Sequence, residues 1–81
     1  MHPSLRVVTG RLPQIKERAV HLFERDDDFH DLCLEYEACT ETVSRLETTG
    51  QSAEGLRKEY TALLLRLERE LLRYVEDVPN G

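Results

Sequence analysis

Residues 52–78 read SAEGLRKEYTALLLRLERELLRYVEDV. Leu56, Tyr60, Leu63, Leu64, Leu67, Leu71, Tyr74, Val75 and Val78 recur in it at steps of one, three and four. That is the period of a single helix face. The stretch predicts a long amphipathic helix over about 53–78, whose stripe must be buried against an apolar partner.

The partner lies immediately upstream. Phe29, Leu32, Tyr36, Cys39, Val43 and Leu46 step by 3, 4, 3, 4, 3, the a and d positions of a heptad repeat. They predict a helix over about 28–48. It should close at Thr48-Thr49-Gly50, where Gly50 can take a left-handed conformation. Ser52 then caps the next helix, with Glu54 in its first turn. So short a link makes the two helices antiparallel neighbours. Leu46 then meets Leu56, Val43 meets Tyr60, Cys39 meets Leu63, Tyr36 meets Leu67, Leu32 meets Leu71 and Phe29 meets Tyr74. The two numbers in every pair total 102 or 103, so the layers stay matched along the whole length. Local pattern and long-range pairing agree, as a foldable sequence requires.

Before this hairpin, Ile15, Ala19, Leu22 and Phe23 form the apolar side of a shorter helix over about 13–25, with Pro13 in its first turn, where no N–H is needed. Asp26-Asp27-Asp28 follows. Aspartate suits a helix start better than a helix interior, so a break and a new start are expected here. Against the break, Ile15, Leu22, Phe29, Tyr36 and Val43 are spaced by sevens without interruption, as one continuous helix would have them. Residues 1–11 are read as a flexible arm, 12–78 as one helical domain and 79–81 as a tail.

Composition fits this class. Of 81 residues, 33% are charged and 6% aromatic, and there is no tryptophan. A chain this short buries little core, so regular helix packing or oligomerisation has to stabilise it. The net charge of −5 divides as +3 over residues 1–25, −7 over 26–50 and −1 over 51–81. An acidic middle argues against a general nucleic-acid binder, which needs a clustered basic face. No apolar run approaches the ~20 residues that span a bilayer, and the N-terminus lacks the basic-then-apolar order of a signal peptide. A cytoplasmic protein is expected. Cys33 and Cys39 fit that compartment: six helical residues set them about 9 Å apart along the axis, too far for a bridge.

Few motifs carry chemistry. Asp26, Asp27, Asp28 and Asp31 lack the alternating ligands and central glycine of a calcium loop; a capped helix start with solvated carboxylates is expected. His30, Cys33 and Glu37 share a helix flank and are a minor candidate metal or nucleophile cluster. A structural zinc site wants four ligands, and nothing orients a base here. His21 pairs with Glu17 on the surface at i+4 spacing. Arg66, Arg69 and Arg73 form a basic stripe that, with the basic first helix, could contact phosphates, but Glu70 and Asp77 stand at i+4 to pair with Arg66 and Arg73. Asp31, Glu35, Glu37 and Glu41 form an acidic face with few local cations, open to a basic partner. Leu65 and Leu72 lie one heptad apart, off the main stripe, and Leu34 is similarly displaced. These three are the candidate interface residues.

Phe29-x-x-Leu32-x-x-x-Tyr36, Val43-x-x-Leu46-Glu47 and the Lys-, Arg- and Leu-rich stretch from Leu56 to Leu71 resemble the YdcH-like family of small bacterial proteins. The likeness covers roughly residues 22–75 and differs at Leu67-Glu68-Arg69-Glu70, where that family usually has a Leu-Lys-Asp-Glu-like ending. It implies a short helical hairpin without known catalysis, and no site residues.

The sequence therefore predicts an all-α antiparallel hairpin with a short N-terminal helix at its open end, able to assemble into a bundle. The expected function is a small non-enzymatic interaction or adaptor module, self-associating through helix faces, with no cofactor. Its partners would be itself, as a homo-oligomer, or another protein. The alternatives are a nucleic-acid-associated protein using Arg66, Arg69 and Arg73, and a metal-binding protein.

Overall fold

The computed structural model describes residues 1–48 and 54–77. Helix accounts for 94% of the described residues, and among them there is no strand. The elements are α1 (Pro3–Arg11), a 3-10 turn (Pro13–Ile15), α2 (Lys16–Arg25), α3 (Asp27–Thr48) and α4 (Glu54–Asp77). α3 and α4 pair lengthwise, and α1 and α2 fold back against α3. The molecule is elongated, 48 × 23 × 21 Å. The expected roles of Gly50, Ser52 and Val78, and the tail 79–81, lie outside the described residues.

The hairpin is antiparallel, as its pattern requires. The Phe29 and Tyr74 rings pack with centroids 5.5 Å apart. The Tyr36 hydroxyl donates to Glu68 Oε2 at 2.6 Å, and the Cys39 thiol to the Tyr60 carbonyl at 3.5 Å. Residue numbers rise on one helix as they fall on the other, in the expected register. In the open half, burial departs from a simple two-helix seam at Cys33 and Leu32. Cys33 is fully buried while Leu32 is only half-buried. α1 and α2 cover α3 on the flank that carries Cys33, so the buried strip turns toward them.

The break at Asp26 is real and has a clear mechanism. Asp26 is extended, with φ −123° and ψ 111°. Its N–H closes α2 by donating to the Leu22 carbonyl at 2.8 Å. Its Oδ1 opens α3 by accepting from the N–H groups of Asp28 and Phe29, at 3.0 and 3.2 Å. One aspartate thus serves the end of one helix and the start of the next. The sevenfold line from Ile15 to Val43 is therefore shared between the 3-10 turn, α2 and α3.

The N-terminal arm is a correction. Residues 3–11 form a helix that packs on α3. Leu5, Val8 and Leu12 join the core, and Ser4 and Thr9 are also buried. Leu5, Val8 and Leu12 lie at steps of three and four, a helical period visible only when Leu12 is counted with the segment before it. Pro3 stands at its first position, where proline is well tolerated. His2 caps it, its Nδ1 accepting from the Ser4 N–H at 3.1 Å. The Ser4 hydroxyl, fully buried, donates to Glu37 Oε1 on α3 at 2.6 Å. The core thus holds α1 against the open half of the hairpin, with α2 closing the end.

Candidate interaction surface

The three residues of the candidate metal cluster separate in the fold. Cys33 sits in the core, and burial pushes its thiol up to about 12, which leaves it un-ionised and inert near neutral pH. Glu37 turns to Ser4. The His30 ring stacks on Phe23, centroids 4.3 Å apart and planes within 18°, and meets His2 edge-on at 5.7 Å. Aromatic packing joins the starts of α1 and α3 to the end of α2. No group of three or more His, Cys, Asp or Glu side chains is placed to hold a metal among the described residues.

The acidic run also resolves into structure. Asp26 Oδ2 accepts from the Tyr74 hydroxyl. That bond, then the Phe29 N–H, holds the Asp26 carboxyl below its usual 3.8 against a smaller opposing effect of burial. The same bond raises Tyr74 to about 12. Burial first, and then the hydrogen bond to Glu68, raise Tyr36 as well. Both tyrosines carry their hydroxyl to a carboxylate at the edge of the core, so each fixes the height of α3 or its cap against α4.

On α4, Arg66 pairs with Glu70 at 3.7 Å and Arg73 with Asp77 at 4.0 Å, all four side chains exposed. These are solvent-screened i,i+4 pairs, and they occupy two of the three arginines of the basic stripe.

The displaced leucines do not behave alike. Leu34 and Leu65 are exposed, at 38% and 53%. Leu72 is half-buried against the core, and it lines a groove of about 860 Å³ with Pro13, Ile15, Arg18 and Val75 among others. The arrival of the 3-10 turn and α2 covers it, so it does not extend an open stripe with Leu65. Leu34 lies about 160° round α3 from Tyr36 at ~100° per residue, isolated from the other leucines.

A larger exposed surface belongs to the seam itself. α1 and α2 cover only the open half of the hairpin. Beyond them Leu56 is 48% and Leu63 38% exposed, beside half-buried Val43, Leu46 and Tyr60. The heptad pattern assigns these residues to the seam; that they stay wet follows from α1 and α2 both packing on the other half of α3. None of the helices among the described residues is long and apolar enough to cross a membrane. Compared with protein families, curated proteins and solved structures, the chain has no match.

Proposed function

We propose that this chain is a small non-enzymatic helical module that works by self-association, burying the loop half of its hairpin against another copy. The observation that supports this is the run Val43, Leu46, Leu56, Tyr60 and Leu63, a continuation of the core seam left exposed or half-buried. Contiguous apolar surface of this kind marks interaction sites, and its heptad spacing suits a helical partner. The reading takes with it a cytoplasmic setting and the likeness of the seam to YdcH-like hairpins.

Light scattering on the full chain over a wide concentration range tests it. A dimer or larger species is expected, and Leu56→Glu with Leu63→Glu should return the mass to that of one chain while helicity by circular dichroism persists. A monomer at every concentration overturns the reading. Leu65→Glu separates the two candidate surfaces: it is expected to leave the mass unchanged, because Leu65 lies off the seam.

A further inference from the structure

We propose that this chain also forms a domain-swapped dimer: the break at Asp26 straightens, α2 and α3 run on as one helix, and α1 with α2 of each copy cover the hairpin of the other. The swap does not rest on the loop-half association, because it uses the covered half of the hairpin.

The phase of burial across the break carries this inference. Ile15, Ala19 and Leu22 before it and Phe29, Cys33 and Tyr36 after it are all buried. With Asp26 between them they form one series with steps of 4, 3, 4, 3, 4 and 3, the seam of an unbroken helix. Asp26 is its one polar member. A break imposes no such phase, since α3 could restart at any rotation. Nor does the covalent chain demand the break: residues 16–48 contain neither glycine nor proline, the residues that usually interrupt a helix. What holds it is Asp26, whose N–H closes α2 and whose Oδ1 opens α3.

The interface of the dimer is one that the closed chain already displays. In a swap, the contacts between an arm and its hairpin are remade between copies. The joined helix holds the ten residues of α2, Asp26 and the 22 of α3, about 50 Å at 1.5 Å per residue. Two such helices, antiparallel and crossing at Asp26, bring positions equally far before and after it to one level. Phe23, three residues before Asp26, then reaches the level of Phe29 and His30, three and four after it. That matches the closed chain, where Phe23 stacks on His30 at 4.3 Å. The same exchange carries Leu5, Val8 and the Ser4–Glu37 hydrogen bond over to the other copy.

Asp26 sets the balance between the two forms. Straightening gives up its cap, and the two Asp26 carboxylates meet at the crossing beside Asp27 and Asp28. Both effects favour the closed chain. Removing the Asp26 carboxylate therefore shifts the balance toward the swap.

The test uses the full chain carrying Leu56→Glu and Leu63→Glu, so that a dimer cannot come from the loop half. Each protein is refolded from denaturant at high concentration and diluted. Light scattering then gives the mass, and circular dichroism the helicity. Asp26→Ala should raise the ratio of dimer to monomer about tenfold or more, because it removes the cap and supplies the best helix former. Asp27→Pro should remove the dimer and leave a folded monomer. Asp27 is the first residue of α3, where proline is well tolerated. Asp26 before it already has the extended φ −123° and ψ 111° that a following proline favours. Inside a continuous helix the same proline disfavours the straight form about a hundredfold or more per copy. A dimer that survives Asp27→Pro, or no dimer from Asp26→Ala, overturns the proposal. Should Asp26→Ala lose helicity, Asp27→Ala with Asp28→Ala takes its place, keeping the cap while removing charge from the crossing, and the absence of a dimer is again decisive against the swap.

Discussion

The two halves of the α3–α4 hairpin share one heptad pattern and differ in what lies on top. In the open half, Phe29, Cys33, Tyr36, Leu71 and Val75 are fully or almost fully buried under α1 and α2. In the loop half, Leu56 and Leu63 remain exposed although they continue the same stripe. A pair of helices shields only the line where they touch. A third element has to cover the grooves beside that line before the flanking side chains leave water. The side-chain hydrogen bonds between oxygens divide the same way: Ser4–Glu37, Tyr36–Glu68 and Tyr74–Asp26 lie in the covered half, while the longer Cys39 thiol contact reaches the Tyr60 carbonyl of the loop half.

The largest test of this contrast compares alanine truncation in each half. Phe29→Ala should cost about 3–5 kcal/mol by chemical denaturation, comparable with the whole stability of a domain this size, about 4–12 kcal/mol. Leu56→Ala should cost under about 1 kcal/mol in dilute protein, where its side chain is already wet. A cost for Leu56→Ala that grows with protein concentration would place the loop half inside an assembly.

Next in size is the cover itself. Leu5→Ala should destabilise by about 2–3 kcal/mol and lower amide protection in α3 around Cys33 more than around Val43. A loss below about 0.5 kcal/mol, well short of a buried truncation, would mean that residues 1–11 are only loosely attached.

A smaller effect is expected at the α2–α3 junction, where it depends on pH. The folded Asp26 carboxyl lies below its unfolded 3.8. Its contribution is complete above that value and is lost as pH falls through the lower folded one. Asp26→Asn should therefore be less stable than the parent at pH 6, and the gap should narrow below 3.8. At the alkaline end the raised Tyr74, at about 12, contributes stability in full below the ordinary 10 and loses it as pH rises through 12. Tyr74→Phe should flatten that alkaline decline, and tyrosinate absorbance measures the titration directly.

The smallest change is a gain. Gly10 lies inside α1, and a Cβ there would meet nothing within 4 Å. Gly10→Ala should stabilise by about 0.5–1 kcal/mol through helix propensity and unfolded-chain entropy. No gain in thermal denaturation would mean that α1 is frayed where Gly10 stands.

Much of this is legible in the sequence. The all-α hairpin, its register, a helical segment after Pro13 (a 3-10 turn leading into α2 at Lys16) and the break at Asp26 all follow from local chemistry repeated over long segments. The elements that escape such a reading are short or shared. α1 is hard to see because its period runs through only Leu5, Val8 and Leu12, with Ser4, Thr9 and Gly10 among them. Leu72 looks like a surface residue because the pattern of α4 alone cannot foresee the 3-10 turn that covers it. Cys33 and Leu32 differ by one position on α3, and only the arrival of α1 and α2 on one flank decides which of them is buried.

The sequence by itself determined the helices of the hairpin, the start of α3 and the antiparallel pairing, because helix period, the aspartate cap and layer matching act within a chain segment or between two joined by a short loop. Tertiary structure alone decided which half of the seam is dry, that Cys33 rather than Leu32 enters the core, and which carboxylates accept from Tyr36, Tyr74 and Ser4. Those outcomes depend on where a third and fourth helix come to rest. That position is set by the summed packing of residues far apart in the chain rather than by any one stretch.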